Sequence, residues 1–485
     1  MHGPDYLAIL PLIITGGTSI LVMIGIAIRR SHQLAALTTL AGFCAAFATL
    51  WAIDSVLPRQ VTPLLIVDRY GVFYIGLMLA AAIFVTLMSY EYLERQAGFH
   101  EEYYVLLLLS ALGAETIVIS SHFASFFLGL ELLSVSLYAL TAYLRARPLP
   151  LEAGLKYLIL AASSAAFLLF GMALIYSQTG SMEIGQIADF FAHGQAYSRP
   201  IVSAATALFI TGIGFKLGVV PFHIWTPDIY EGAPAPVTAW VATASKGSIF
   251  ALLVRYFYGS WWHHWSGTYL VFTIIAIASM FAGNILALLQ SNVKRVLAYS
   301  SIAHLGYLLV AFQAATQALA VEAVTFYLVA YFITTLGAFG VITVLSPTGR
   351  DADSIDDYRG LFWRRPALAL IFTAMLLSLA GIPLTAGFIG KFYILAAGTS
   401  SNIWTLVLVL IATSVVGLYY YLRIVVALFA TPEAEVGGTA IVPAVSAISV
   451  ESQSILWLLT ALLIWFGVYP EQLLELIRSV ASRIG

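Results

Sequence analysis

Three lysines stand inside apolar runs of this chain: Lys216 in FKLGVVPFHIW, Lys246 in VTAWVATASKGSIF and Lys391 in LAGIPLTAGFIGKFYIL. A charge at the centre of a bilayer costs about 2.5–3.5 kcal/mol on insertion scales, so residues of this kind mark sites where the charge is used. One acid matches them. Glu131, in FFLGLELLSVSLYAL, has no lysine or arginine within ten positions on its own segment, so a cationic partner must come from elsewhere in the bundle. Burial weakens a lysine's hold on its proton and a nearby carboxylate strengthens it, so a small change in their separation loads or releases a proton. Two plainer readings compete: a lysine that snorkels to the interface along its stem, and an ion pair that only locks two helices. Snorkelling is difficult for Lys246 and Lys391, which have many apolar residues on both sides.

Proline and glycine supply the geometry such lysines need. Pro221 removes a backbone hydrogen bond five residues after Lys216, and Gly212, Gly214 and Gly218 permit close helix approach. A second segment repeats the device, with Pro383, glycines at 381, 387 and 390, and Lys391. Membranes tolerate freed backbone groups only where protein or water satisfies them, and discontinuous helices of this type hold the central sites of transporters. In the first segment the lysine precedes the proline; in the second it follows it. Histidines add proton relays at neutral pH: His304 lies among hydroxyls in YSSIAHLGYLL and His223 follows the first break. Either also serves as an ordinary packed histidine. Asp228 and Glu231 near one end of the first broken segment, with Glu152 and Lys156 nearby, are candidates for an access route or for plain interfacial charges.

The elements that must position these groups follow from composition. Of 485 residues, 61% are hydrophobic and 9% charged, with a mean hydropathy of +0.94. These values exclude a soluble domain and indicate an all-α polytopic membrane protein. Apolar windows fall near 6–28, 34–53, 70–90, 103–120, 122–144, 154–178, 201–224, 232–258, 268–289, 298–316, 320–345, 366–398, 402–430 and 453–477, fourteen spans in all. The start, MHGPDYLAIL, lacks the basic region and cleavage site of a secretory signal, so the first run reads as a retained span. The breaks lie in spans seven and twelve. Five is odd, so they imply two inverted five-helix repeats, spans 4–8 and 9–13. The resulting division is an N-terminal segment 1–100, a first repeat 101–260, a second 261–430, and a C-terminal loop and helix 431–485. Of the 22 Lys and Arg, thirteen flank the loops after odd-numbered spans and six the opposite side, which puts the odd loops inside and both termini outside. The remaining three are the intramembrane lysines. The single cysteine, Cys44, excludes disulfide frameworks and thiolate metal or iron–sulfur sites. A net charge of −2 gives no case for nucleic acid.

The stretches FKLGVVPFHIWTPDIYEGAPAPVTAWVATASK (215–246), NVKRVLAYSSIAHLGYLL (292–309), DDYRGLFWRRP (356–366) and SLAGIPLTAGFIGKFYIL (378–395) resemble the antiporter-like N subunit of proton-pumping NADH:quinone oxidoreductase, respiratory complex I. The similarity runs over nearly the whole chain. The M sibling typically carries a glutamate where Lys391 stands, and no residues remain after Arg478 for the long lateral helix of the L sibling. By this resemblance Glu131 and Lys216 match the family's Glu/Lys pair, Lys246 its central lysine and Lys391 its exit-side lysine. Glu152 and Asp228 match acidic positions on the cytoplasmic side. It implies a proton-translocating subunit of a bacterial inner membrane, with M-type and K-type neighbours and a peripheral redox arm. FMN, iron–sulfur clusters, NADH and quinone then belong to other subunits, with no cofactor or metal in this chain. The alternatives are a subunit of an Mrp-type cation/proton antiporter or of a related membrane hydrogenase, and a passive scaffold.

Overall fold

A computed structural model describes residues 3–193, 196–257, 266–314, 318–431 and 449–481. Nearly all of this is helix: α1 (Gly3–Ala8), α2 (Leu10–Ile28), α3 (His32–Ile53), α4 (Arg69–Glu94), α5 (Glu101–Val118), α6 (Phe123–Thr141), α7 (Pro148–Thr179), α8 (Ile184–Ala192), α9 (Arg199–Leu217), α10 (Trp225–Gly232), α11 (Ala235–Trp240) and α12 (Lys246–Phe257). There follow α13 (Ser266–Leu288), α14 (Val293–Gln313), α15 (Ala318–Leu345), α16 (Leu361–Arg364), α17 (Pro366–Ala380), α18 (Ala386–Ser400), α19 (Trp404–Phe429), α20 (Val450–Val468) and α21 (Glu471–Ala481). A two-stranded hairpin, β1 (Arg59–Thr62) with β2 (Leu65–Val67), links α3 to α4.

Twelve helices among the described residues are long and apolar enough to cross a bilayer. The other two predicted spans coincide with helices outside that set. One is α5, whose three glutamates at 101, 102 and 115 mark it as unusually polar; the other is α17 with α18, two half-length helices in line with one predicted span. The last predicted span is divided in the structure. It ends at Val468, and α21 begins only at Glu471, because Tyr469 precedes Pro470 and is held out of the helical region. The helix α21 then buries Leu473, Leu474, Ile477 and Val480 while exposing its polar face, the pattern of a helix lying along the protein surface. The loop at 432–448 and Arg483, which entered the loop charge count, lie outside the described residues.

The continuous run α11–α12 and the helices α14 and α15 are wrapped on all sides by protein, whereas α2, α3, α13, α19 and α20 each turn an apolar face outward. With no hydrophobic drive between helices in lipid, contact depends on small residues that let backbones approach. Gly113 is one: a Cβ there would stand 2.5 Å from the amide nitrogen of Leu133. The ion pairs sort into two sets, one at each end of the helices. Arg30–Glu101, Arg147–Asp351, Lys156–Asp228 and Lys294–Asp351 join loops after odd-numbered spans, and Arg59–Asp5, Arg255–Asp68 and Arg478–Glu322 join the opposite ends.

Candidate functional site

The first break is made by Gly218, which ends α9 with φ of 73° and is followed by an irregular turn before α10. The second is made by Gly381, φ of 87°, at the end of α17. Only glycine adopts this conformation without steric cost. In each case a lysine ammonium comes to the broken end. A Cβ on Gly218 would stand 3.5 Å from Nζ of Lys246, and one on Gly381 would stand 3.1 Å from Nζ of Lys391. The broken ends carry unsatisfied carbonyls and the negative pole of the helix dipole, which favour a cation. Lys391 shows this directly: its Nζ donates to the carbonyls of Leu379 at 3.0 Å and Ala380 at 2.8 Å, and to Ser414 Oγ at 2.9 Å.

Lys216 lies in the last turn of α9, 4% exposed. Its ammonium donates to Ser134 Oγ at 2.8 Å. Ser134 follows Glu131 by three residues on α6, so the two share a face one turn apart. The Glu131–Lys216 relation is electrostatic rather than a contact pair: among the described residues Glu131 makes no ion pair, and its Oε1 is buried without a hydrogen-bond partner. Glu131 and Lys216 thus interact electrostatically across the α6/α9 side of the first break, while the hydrogen bond of the lysine goes to Ser134.

Lys246 opens α12 directly after a π turn at Val241–Ser245. Such single-turn bulges shift the register of every following side chain and concentrate at functional sites. The lysine is 1% exposed, and its Nζ donates to Ser301 Oγ at 2.8 Å over the faces of Tyr230 (5.2 Å to the centroid) and Trp225 (5.9 Å). From Ser301 a polar face continues along α14 through Ser300, His304 and Tyr307. His304 contacts the hydroxyls of Tyr327 (Nδ1, 2.6 Å) and Tyr421 (Nε2, 3.1 Å), and Tyr421 also makes a short hydrogen bond with Ser300. Asn284 bonds Tyr307 at 3.0 Å and Tyr420 at 3.1 Å. Lys391 then lies over the Tyr307 ring at 5.2 Å. Lys246, His304 and Lys391 thus lie along one run of buried hydroxyls on α14, and Lys216 sits with Ser134 and Glu131 beside the first break.

Glu152, Lys156, Asp228 and Glu231 are joined in one network at the odd-loop end. Lys156 bonds Glu152 at 2.7 Å and Asp228 at 2.9 Å, while Arg295 bonds Asp228 at 3.0 Å and Glu231 at 2.6 Å. Partial burial pushes the Asp228 carboxyl up, but bonds from Lys156 and Arg295 outweigh it and hold the group below the usual carboxylate range. His223 stays apart from these groups; its Nδ1 is buried with no hydrogen-bond partner. Sequence reasoning missed several participants. Lys294 was counted as a loop charge, yet it is 1% exposed and donates to Asp351 at 2.7 Å and to the carbonyls of Glu231 and Ala233. Ser134, Ser301 and Ser414 had only a weak signal, small hydroxyls in apolar helices. Glu115, fully buried on α5, was visible in LSALGAETIVI but was not singled out. No cluster of three or more His, Cys, Asp or Glu able to hold a metal occurs among the described residues.

A family model described as NADH:quinone oxidoreductase/Mrp antiporter, transmembrane, matches residues 120–417, a stretch that contains Glu131, all three lysines and His304. NADH-quinone oxidoreductase subunit N of Ectopseudomonas mendocina is 46% identical over 98% of this chain and 96% of its own length. The chain belongs to the N-subunit family of NADH-quinone oxidoreductase. Among solved structures, a chain of respiratory complex I from Thermus thermophilus superposes with a TM-score of 0.81 at 32% identity, covering 96% of this chain and 98% of that one. A chain of the Mrp complex from Dietzia sp. superposes with a TM-score of 0.84 over 100% of this chain and 98% of that one at 20% identity, which shows a shared fold alone. Fold similarity does not separate the two classes; sequence identity does.

Proposed function

We propose that this chain carries protons across the membrane as a membrane-arm subunit of NADH:quinone oxidoreductase, with Glu131, Lys216, Lys246 and Lys391 as the proton-transfer groups. The observation that carries the reading is the bonding of the three buried lysines: each donates to a serine hydroxyl, and among the described residues none pairs with a carboxylate. A permanently paired structural lysine would have a carboxylate partner, as Lys294 has. A lysine that must give up its proton is better served by neutral acceptors and helix ends, which stabilise the ammonium without trapping it.

Protons reach these lysines through the network of Glu152, Lys156, Asp228 and Arg295 at the odd-loop end, and His304 passes them between Lys246 and Lys391. His223 has a weaker place at the side of the first break. The two glycine breaks belong to inverted halves of the molecule. Electron transfer from NADH to quinone, and the FMN and iron–sulfur clusters it needs, belong to partner subunits of a peripheral arm, and M-type and K-type membrane subunits flank this one. The chain lies in a bacterial plasma membrane with both termini on the periplasmic side, as the thirteen-to-six division of Lys and Arg supports.

The test is Lys246→Ala in the intact complex reconstituted into vesicles. Assembly and electron transfer to an artificial acceptor should persist while acidification of the vesicle lumen is lost. Wild-type acidification would remove the reading. Sodium-dependent exchange by the isolated chain would instead favour the Mrp-type antiporter.

A further inference from the structure

A polar cavity of about 680 Å³ opens at the odd-loop end of the bundle, and none of the intramembrane lysines lines it. It lies where four stretches of chain meet: the corners from α2 to α3, α4 to α5 and α6 to α7, and the loop after α15. Three arginines, Arg30, Arg145 and Arg147, and one carboxylate, Glu102, line it, so its wall carries a net charge of +2. Two of the guanidinium groups are held by the protein. Arg30 bonds Glu102 at 2.6 Å and lies over the Phe99 ring, 4.4 Å from the centroid. Arg147 donates to Gln96 Oε1 at 2.7 Å and reaches Asp351 at 3.4 Å. The third is free: among the described residues the one hydrogen bond of Arg145 comes from its backbone amide, to Tyr143 O, and its exposed guanidinium acts on Glu102 through space alone. The fork of a guanidinium matches two oxygens of a phosphate, which makes an unused arginine in a basic cavity an anion site. Exposed apolar side chains accompany it. Ile28 and Leu34 stand on either side of Arg30 in the chain, Phe99 is in the wall, and Leu149 follows Arg147 by two residues. Basic pockets between membrane helices at this depth take lipid headgroups, and acyl chains cover apolar residues that a soluble anion leaves bare.

We propose that this cavity binds the phosphate of an acidic phospholipid from the leaflet on the odd-loop side. Arg145 supplies the two-point contact to the phosphate oxygens, and Arg30 and Arg147 add positive field from positions that Glu102 and Gln96 fix. The acyl chains lie against the exposed apolar residues beside the cavity. Because the wall comes from four stretches of chain, one headgroup links the α2 to α3 corner with α5, α7 and the loop after α15 at the membrane surface. The role is one of assembly and lipid recognition, and it stands apart from proton transfer because no residue of the cavity serves that reading. The competing occupant is a soluble phosphate, which would use the arginines and leave the apolar residues bare.

The experiment uses the intact complex in an uncharged detergent with phosphatidylglycerol that carries a photoreactive group on one acyl chain. After illumination, labelled peptides of this chain are mapped by mass spectrometry. The wild type should be labelled in the peptides that contain Ile28 to Leu34 and Leu149. Arg145→Gln should lower that labelling about tenfold, the factor for losing one charge-assisted contact, and Arg145→Lys, which keeps the charge without the fork, should fall between the two. Arg145 bonds through its backbone alone, so neither substitution removes a contact that holds the fold. The same photoreactive group on phosphatidylcholine, which has no net charge, should label these peptides far less. Equal labelling of wild type and Arg145→Gln would overturn the proposal, as would equal labelling by the two lipids. Displacement of the phosphatidylglycerol label by millimolar inorganic phosphate would overturn it too, by assigning the cavity to a soluble anion.

Discussion

Gly381→Ala changes no ionisable group and should still stop proton transfer. The residue sits at φ of 87°, where an L side chain costs about 1–2 kcal/mol. The added Cβ would stand 2.8 Å from Cδ and 3.1 Å from Nζ of Lys391, so the lysine has to move. Its ammonium makes three hydrogen bonds, to Leu379 O, Ala380 O and Ser414 Oγ. Losing a bond from a charged donor costs about 1.5–3 kcal/mol. One lost bond plus the strain gives about 2.5–5 kcal/mol. Gly180→Ala is the matched control, because Gly180 has φ of 69° with nothing within 4 Å of an added Cβ, and it carries the strain alone. The difference, about 1.5–3 kcal/mol, corresponds to roughly a tenfold to hundredfold smaller population of correctly seated Lys391. The assay is NADH-driven quenching of a pH-sensitive dye in vesicles containing each variant complex. Electron transfer to an artificial acceptor and the thermal transition of the purified complex serve as controls. Gly180→Ala should pump normally with a slightly lower transition temperature, and Gly381→Ala should pump poorly. Equal pumping by the two would refute the idea that the broken end of α17 seats Lys391.

Ser134→Ala removes the one side-chain hydrogen-bond acceptor on Lys216 among the described residues and should slow pumping, with a cost of about 1.5–3 kcal/mol, while Ser134→Thr restores it; a rate unaffected by Ser134→Ala would remove the serine from the path. Asp351→Asn leaves the buried Lys294 charge unpaired and should destabilise the complex by about 3–5 kcal/mol, measured as loss of assembled complex on native gels. Burial pushes the Asp351 carboxyl up, but the Lys294 charge and hydrogen bond, with Tyr92 and Arg147, prevail and hold it below the usual range. The sign follows: its stabilisation is complete above the unfolded value near 3.9 and is lost only as pH falls through the lower folded value. Wild-type complex should therefore lose stability in that acidic window and Asp351→Asn should not. Arg295→Ala should separate Asp228 from Glu231 and slow proton uptake while leaving electron transfer to an artificial acceptor intact; unchanged uptake would reduce this network to structural charge pairing.

The crossings and the intramembrane lysines were legible from residue order because both are one-dimensional facts. A run of about 20 apolar residues spans a bilayer whatever its neighbours, and a lysine inside such a run is anomalous before any contact is known. The glycine breaks were legible too, since Pro221 and Pro383 follow closely on Gly218 and Gly381 in the chain. Partners were not. Lys216 and Ser134 are 82 positions apart and Lys246 and Ser301 are 55 apart, and nothing in either local sequence singles out that serine from the others. The sequence matched Lys216 to the Glu131 carboxylate because opposite charge is its strongest pairing rule; that the ammonium also rests on the Ser134 hydroxyl came only from packing. Lys294 was misplaced for a related reason. Adjacent to Arg295 at a helix start it reads as an interfacial charge, and only the fold of the loop containing Asp351 over it decides that it is buried. Charge and hydropathy are properties of each residue and settle which groups must be explained, whereas the depth, burial and partners of those groups come from helices that meet only when the whole bundle is packed.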